Sequence, residues 1–254
     1  MQVVILGTGN VATVFAKRLN SAGHSVIQVW GRDIIKAEQL GGIVSAKAIS
    51  DISLLTKNAD VYIIAISDKA VLELVEQLEL PGALVLHTTA SISKQVLKGV
   101  SEKYGVLYPL QSLRKLMDES TPIPLLVDGN SEIVIKEIET LGRSISSTVV
   151  KADDETRVKL HVAAVFACNF TNYMYLQSAT FCEKENLDFS LLQPLIEETA
   201  NRVRDHHPSK VFTGPAVRGD VATMEKHLSL LESYPELSEL YKDLSNRIYE
   251  EYGR

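Results

Sequence analysis

Short apolar runs alternate with segments of helical period through roughly the first 150 residues. The runs Val3–Leu6, Val26–Trp30, Val61–Ile66, Ala83–His87, Val106–Tyr108, Leu125–Val127 and Ile145–Val150 predict strands. Helices are expected between them, over Val11–Ala22, Asp33–Leu40, Lys69–Leu78, Ser93–Glu102 and Ser131–Leu141. Asp68, Ser93 and Ser131 stand just before or at the start of such segments and read as N-caps. Strands alternating with helices predict an α/β architecture with a doubly wound, mostly parallel sheet. Past about Lys151 the pattern becomes helical, with no glycine between Asp153 and Phe212. Asp154–Lys184 also lacks proline, which predicts one helix of about 30 residues. Its stretch Val162–Phe170 is too apolar to face water, so other helices or a partner subunit must cover it. A Pro/Gly island at Thr213–Asp220 precedes further helices. The expected organisation is therefore an α/β domain over 1–152 and an all-α domain over 153–254.

The first strand runs into a glycine motif. Gln2-Val3-Val4-Ile5-Leu6 is followed by Gly7-Thr8-Gly9-Asn10-Val11-Ala12, the Gly-x-Gly-x-x-Ala order of a Rossmann dinucleotide-binding unit. Gly7 would make the tight turn, Gly9 would admit a pyrophosphate against the backbone, and Ala12 would keep helix and strand close. The following helix N-terminus offers unpaired N–H groups and partial positive charge to phosphates. Gly7, Thr8, Gly9, Asn10 and Val11 are thus candidate cofactor contacts. At the end of the second strand, Gly31 is followed by Arg32, suited to a 2′-phosphorylated adenosine, and then by Asp33, better placed to cap the next helix. NADP is expected over NAD. The strand ends Ile66-Ser67-Asp68 and His87-Thr88-Thr89-Ala90-Ser91 lie on the cofactor-facing edge, which adds Ile66, Ser67, Asp68 and Thr88 to the candidate contacts.

Composition narrows the alternatives. The chain has 254 residues, a formal net charge of −6, and 45% hydrophobic and 23% charged residues. That balance offers no bulk attraction to nucleic acid or to anionic membranes. No apolar run approaches the ~20 residues needed to span a bilayer. The chain opens on a core strand, so a cytoplasmic location is expected. Cys168 and Cys182 sit among apolar residues and read as buried, reduced thiols. His206-His207 lacks a third ligand at zinc spacing, so no metal site is expected.

Reductive chemistry at a carbonyl or imine needs a proton donor beside the cofactor. His161 and Asn169 are polar exceptions in the apolar run Leu160–Phe170. On a regular helix they stand about 80° apart and could line two sides of one cleft. His161 is the candidate proton donor, with Lys159 second, and Asn169 a candidate anchor for substrate or nicotinamide. In Thr213-Gly214-Pro215-Ala216-Val217-Arg218-Gly219-Asp220, Arg218 would suit a substrate carboxylate, with Asp220 orienting it or capping the helix from Val221.

The Gly7-x-Gly9-x-x-Ala12 start, the strand ends Ala65-Ile66-Ser67-Asp68 and His87-Thr88-Thr89-Ala90, the run His161–Phe170 and the Thr213–Asp220 segment together resemble a bacterial family. That family joins a Rossmann-like N-terminal domain to a helical C-terminal domain of unknown function. It is similar in layout to pyrroline-5-carboxylate reductases, β-hydroxyacid dehydrogenases and ketopantoate reductases. The resemblance covers nearly the whole chain and implies an NADP-linked reductase, dimeric through its helical domain. Two features depart from these relatives. Tyr108 stands before Pro109 where a histidine is common, and Lys159 is followed four residues on by Ala163 instead of the asparagine of β-hydroxyacid dehydrogenases. The expected function is NADPH-dependent reduction of a small keto acid or cyclic imino acid, ketopantoate-like or pyrroline-carboxylate-like by analogy only. The alternative is an NADP-binding regulatory or sensor protein without turnover. An open polar cleft beside the nicotinamide would favour the enzyme, and one filled by Phe or Leu side chains the sensor.

Overall fold

A computed structural model describes residues 1–253, grouped into one compact unit of Met1–Asn169 and a second that begins at Phe170. The first unit is built on an eight-stranded sheet in the order β3-β2-β1-β4-β5-β6-β7-β8. Its strands are β1 (Gln2–Leu6), β2 (Ser25–Trp30), β3 (Lys47–Ile49), β4 (Val61–Ile64), β5 (Leu84–His87), β6 (Lys103–Pro109), β7 (Leu125–Gly129) and β8 (Val149–Lys151). Neighbouring strands are parallel except at β6 and β7, so β7 and β8 run opposite to the rest. The helices are α1 (Asn10–Ser21), α2 (Ile34–Val44), α3 (Asp68–Val75), α4 (Glu132–Ile145) and α5 (Asp154–Ala164).

Burial on both faces explains the continuous apolar runs. Every residue of β4 and β5 is buried, as parallel strands between helical layers require. Along β1, Val3 and Ile5 pack into one core with α1 and α4, while Val4 and Leu6 pack into the other with α3. The chain leaves β1 toward β2 and β3, then returns to place β4 on the other side of β1. That reversal opens a crevice at the carboxyl ends of β1 and β4.

Several boundaries differ from the sequence expectation. The short strand β3 is absent from the predicted set, because only Ile49 of its three residues is buried and no apolar run marks it. Ile145 closes α4 instead of opening a strand, and β8 starts at Val149. The helix expected at Ser93–Glu102 is one 3₁₀ turn, Lys94–Leu97; Ser93 caps it, and β6 begins at Lys103, leaving no room for more. β4 stops at Ile64, although the Ala65 N–H still bonds the Leu6 carbonyl of β1. The N-cap of α3 is Ser67, with Asp68 in the first turn, and α3 ends at Val75 in tighter turns. α2 continues past Leu40 through Gly41 and Gly42 to Val44.

The second unit is all helical. It comprises α6 (Thr171–Lys184), α7 (Gln193–Asp205), α8 (Val221–Leu230) and α9 (Pro235–Tyr252). The backbone is helical from Asp154 to Lys184 as expected, but Val165–Phe170 forms a π turn, a form common at functional sites. A π turn advances by less than 100° per residue, so the roughly 80° angle expected between His161 and Asn169 does not hold. Cys182 is buried, whereas Cys168, on that turn, is exposed in the single chain, against expectation. Val162 and Phe166 are also exposed in the single chain, at 51% and 64%. No helix among the described residues is long and apolar enough to cross a membrane.

Candidate active site

Backbone sterics build the turn after β1. Gly7 sits at φ +140°, and a Cβ there would lie 2.2 Å from the Ala65 carbonyl oxygen, so glycine is required. Gly9 is different: it is the N-cap of α1, and a Cβ on it would meet nothing within 4 Å. The protein leaves that space open. α2, α4 and α5 have side-chain N-caps from Asp33, Ser131 and Asp153. α1 and α3, which open on the crevice, have none, so their first N–H groups remain available to a ligand.

The crevice is a cleft of 940 Å³. Gly7, Thr8, Gly9, Asn10, Val11, Arg32, Ile66, Ser67, Asp68 and Thr88 all line it, and His161 joins them. At the β2 end, Arg32 is exposed and has no hydrogen-bond or ion-pair partner among the described residues. Asp33, by contrast, is committed. It accepts from the Ile35 and Lys36 N–H groups and pairs with Lys36 Nζ at 3.1 Å. Its hydrogen bonds with Lys36 hold its carboxyl below the usual range.

At the other end the lining is Thr88, Thr89, Ala90, Ser91, Tyr108 and His161. Tyr108 Oη lies 2.9 Å from His161 Nδ1, with the rings edge to face. Burial pushes the Tyr108 phenol above its ordinary pKa, with the Arg157 charge acting the other way, so at neutral pH it keeps its proton. Ser91 Oγ donates to the Asp68 carboxylate. Behind this lining, His87 is fully buried and accepts at Nδ1 from the Thr89 N–H at 3.3 Å. Arg157, also fully buried, donates from Nε to the Ala90 carbonyl (3.0 Å) and from Nη2 to the Ile92 carbonyl (2.6 Å). Its Nη2 also meets Asp154 Oδ1 at 2.8 Å.

One expected site residue of the first unit, Asn169, is not among the residues that line the cleft. Asn169 is exposed on the π turn. Arg218 lies in the second unit, 63% exposed and 3.9 Å from Asp220, whose carboxylate caps α8 through the Thr223 N–H and hydroxyl. Lys159 is solvated and paired with Glu155. Tyr108 and Arg157 are the residues that sequence reading missed. The polar aromatic Tyr108 at the end of β6, on the ligand-binding edge, was the available signal, but Arg157 carries none.

The comparisons with known proteins show the family and the fold. Residues 2–91 match NADP oxidoreductase, coenzyme F420-dependent, and residues 123–248 match a domain of unknown function, DUF2520. The Bacteroides fragilis protein BF3122, assigned as an NADP oxidoreductase, is 36% identical over 98% of each chain, with a TM-score of 0.91. The chain belongs to this NADP oxidoreductase family. It is an NAD(P)-dependent oxidoreductase with a Rossmann-like sheet. An imine reductase from Myxococcus stipitatus, solved with NADP+, shares the fold at 14% identity, covering 100% of this chain and 96% of its own, with a TM-score of 0.69. The 1-pyrroline-5-carboxylate reductase from Streptococcus pyogenes shares it at 14% identity over 97% of each chain, with a TM-score of 0.68. No curated protein matches the chain. The oxidoreductase's own residues fit a dinucleotide: the open space at Gly9 and the uncapped starts of α1 and α3 face one cleft.

Proposed function

We propose that this oxidoreductase uses NADPH to reduce the C=O or C=N carbon of a small keto acid or cyclic imino acid, with the Tyr108–His161 pair delivering the proton. The observation that carries the reading is the hydrogen bond between Tyr108 Oη and His161 Nδ1 inside the polar end of the cleft. A reduced nicotinamide supplies the hydride when bound. The N–H groups at Asn10 and Val11 take the pyrophosphate, and Arg32 takes the 2′-phosphate, since its guanidinium is free and Asp33 is occupied. His161, exposed at the cleft, receives a proton from solvent and gives it from Nε2 to the substrate oxygen or nitrogen. Tyr108 holds the ring through Nδ1 in both protonation states. It accepts from Nδ1–H or donates to the bare nitrogen.

The alternative of a sensor without turnover calls for a reactive end plugged by apolar side chains. Thr88, Thr89, Ser91, Tyr108 and His161 line it instead, which favours turnover. Arg218 and Asn169 are both exposed, and they keep their proposed roles as contacts for a substrate carboxylate and for substrate or nicotinamide. A homodimer through the helical region is part of the same proposal, supported by exposed Tyr173, Leu176, Leu191 and Leu195 at 50%, 56%, 76% and 60%. Size-exclusion chromatography with light scattering should give twice the chain mass, and a monomer at micromolar concentration would refute the dimer.

The deciding experiment is a fluorescence titration with NADPH and NADH on the wild type and Arg32→Ala, followed by a turnover screen of keto and imino acids. Arg32→Ala should weaken NADPH by about tenfold, or 1.4 kcal/mol, and leave NADH unchanged. His161→Ala should bind NADPH normally and lose turnover. Binding of neither nucleotide would end the reductase reading, while binding without turnover of any substrate would favour the sensor.

A further inference from the structure

Arg157 is a guanidinium at 0% exposure. Stability alone does not account for it, because buried ion pairs are often replaceable by apolar side chains at no cost. Its bonds point elsewhere. The carbonyls it holds, Ala90 and Ile92, belong to the segment after β5 that supplies Thr88, Thr89, Ala90 and Ser91 to the cleft lining. Its partner Asp154 stands in the first turn of α5 and also accepts from the Lys94 N–H. His161 follows Arg157 by one helical turn, so the two side chains leave α5 on the same face. The fork of Arg157 therefore fixes both the height and the rotation of α5 against the cleft wall, next to the point where His161 must reach Tyr108.

We propose that Arg157 is a positioning residue for the proton-delivering pair: by clamping α5 to the Ala90 and Ile92 carbonyls, it sets His161 Nδ1 against Tyr108 Oη. This rests on the reading of His161 as proton donor. A lysine keeps the charge but, lacking the planar fork, cannot hold both carbonyls and Asp154 in the same geometry.

The test uses the full-length protein with ¹⁵N-labelled histidine. The His161 ring resonances, assigned with His161→Ala, report the Nδ1 hydrogen bond without any turnover. Tyr108→Phe gives the shift for a broken pair. Arg157→Lys should move the His161 resonances in the same direction while NADPH affinity stays within about twofold of wild type. Where a substrate is turned over, Arg157→Lys should lower kcat by about tenfold to a hundredfold. It should do so in the wild-type background and far less in Tyr108→Phe, where the pair is already gone. Wild-type His161 resonances in Arg157→Lys, or an equal cost in both backgrounds, would overturn the proposal. If Arg157→Lys does not fold, Asp154→Asn removes one arm of the clamp and should give a smaller shift of the same sign; no shift would overturn it equally. A shifted resonance in a protein that reduces no substrate would leave the clamp standing and remove the reductase reading instead.

Discussion

His87 is fully buried, and its imidazole pKa is brought down from 6.5 to about 4. Burial is the largest cause, and the Arg157 charge acts in the same direction, while Asp154, a Ser93 backbone hydrogen bond and Asp68 act against them. The folded chain therefore keeps His87 neutral at pH values where the unfolded chain protonates it. Stability is full above the unfolded pKa of 6.5 and is lost as pH falls toward about 4. Across that window the loss amounts to about 3 kcal/mol, of which about 2 kcal/mol is gone by pH 5. Other groups titrate as well, so the comparison is with His87→Asn, whose amide oxygen can accept from Thr89 and does not titrate. Urea unfolding followed at Trp30, the single tryptophan and 8% exposed, reports the midpoint at pH 7.5 and pH 5. The wild type should lose about 2 kcal/mol more than His87→Asn between those pH values. Equal losses in the two proteins would refute the desolvated imidazole.

Two further outcomes test the cleft directly. Gly9→Ala should leave the melting temperature within a degree or two, because its methyl meets no protein atom, yet weaken NADPH by about tenfold or more where the pyrophosphate must approach; unchanged affinity would place the cofactor elsewhere. Tyr108→Phe should keep NADPH affinity and lower kcat by about 10²-fold, the low end for losing a positioned acid–base contact, and a full kcat would remove Tyr108 from the reaction.

How legible the molecule is depends on the range of the physics at each place. The turn at Gly7 is set by one residue's φ and one carbonyl, and β4 and β5 by burial on both faces, so short sequence windows reveal them. The same holds for the candidate cofactor contacts, which follow from strand ends and helix starts and all line the cleft. The π turn at Val165–Phe170 leaves the apolar spacing of a helix intact, so nothing local betrays its changed pitch or the altered direction of Asn169. Tyr108 and His161 meet across 53 residues, a pairing without a local pattern. Nothing in the sequence marks Arg157 as buried, because charged side chains are almost never fully buried unless paired and its partners are mainly backbone carbonyls 65 and 67 residues away.

The reversal of direction at β7 and β8 has a consequence for how this protein can diverge. Val106 of β6 is level with both His87 and Asp128, and β8 delivers the chain to α5 close to that height. The candidate nucleotide contacts that line the cleft thus all fall before residue 92, while Tyr108 and His161 arrive on later segments, the second of them after the antiparallel return. Under the proposed function, mutations around Gly9 and Arg32 would retune which nucleotide is held while leaving the Tyr108–His161 pair in place. Mutations in the later part can exchange the acid or the substrate without rebuilding the nucleotide grip. On that proposal the two halves of the chemistry lie on separate stretches of one polypeptide, joined where Arg157 holds the Ala90 and Ile92 carbonyls.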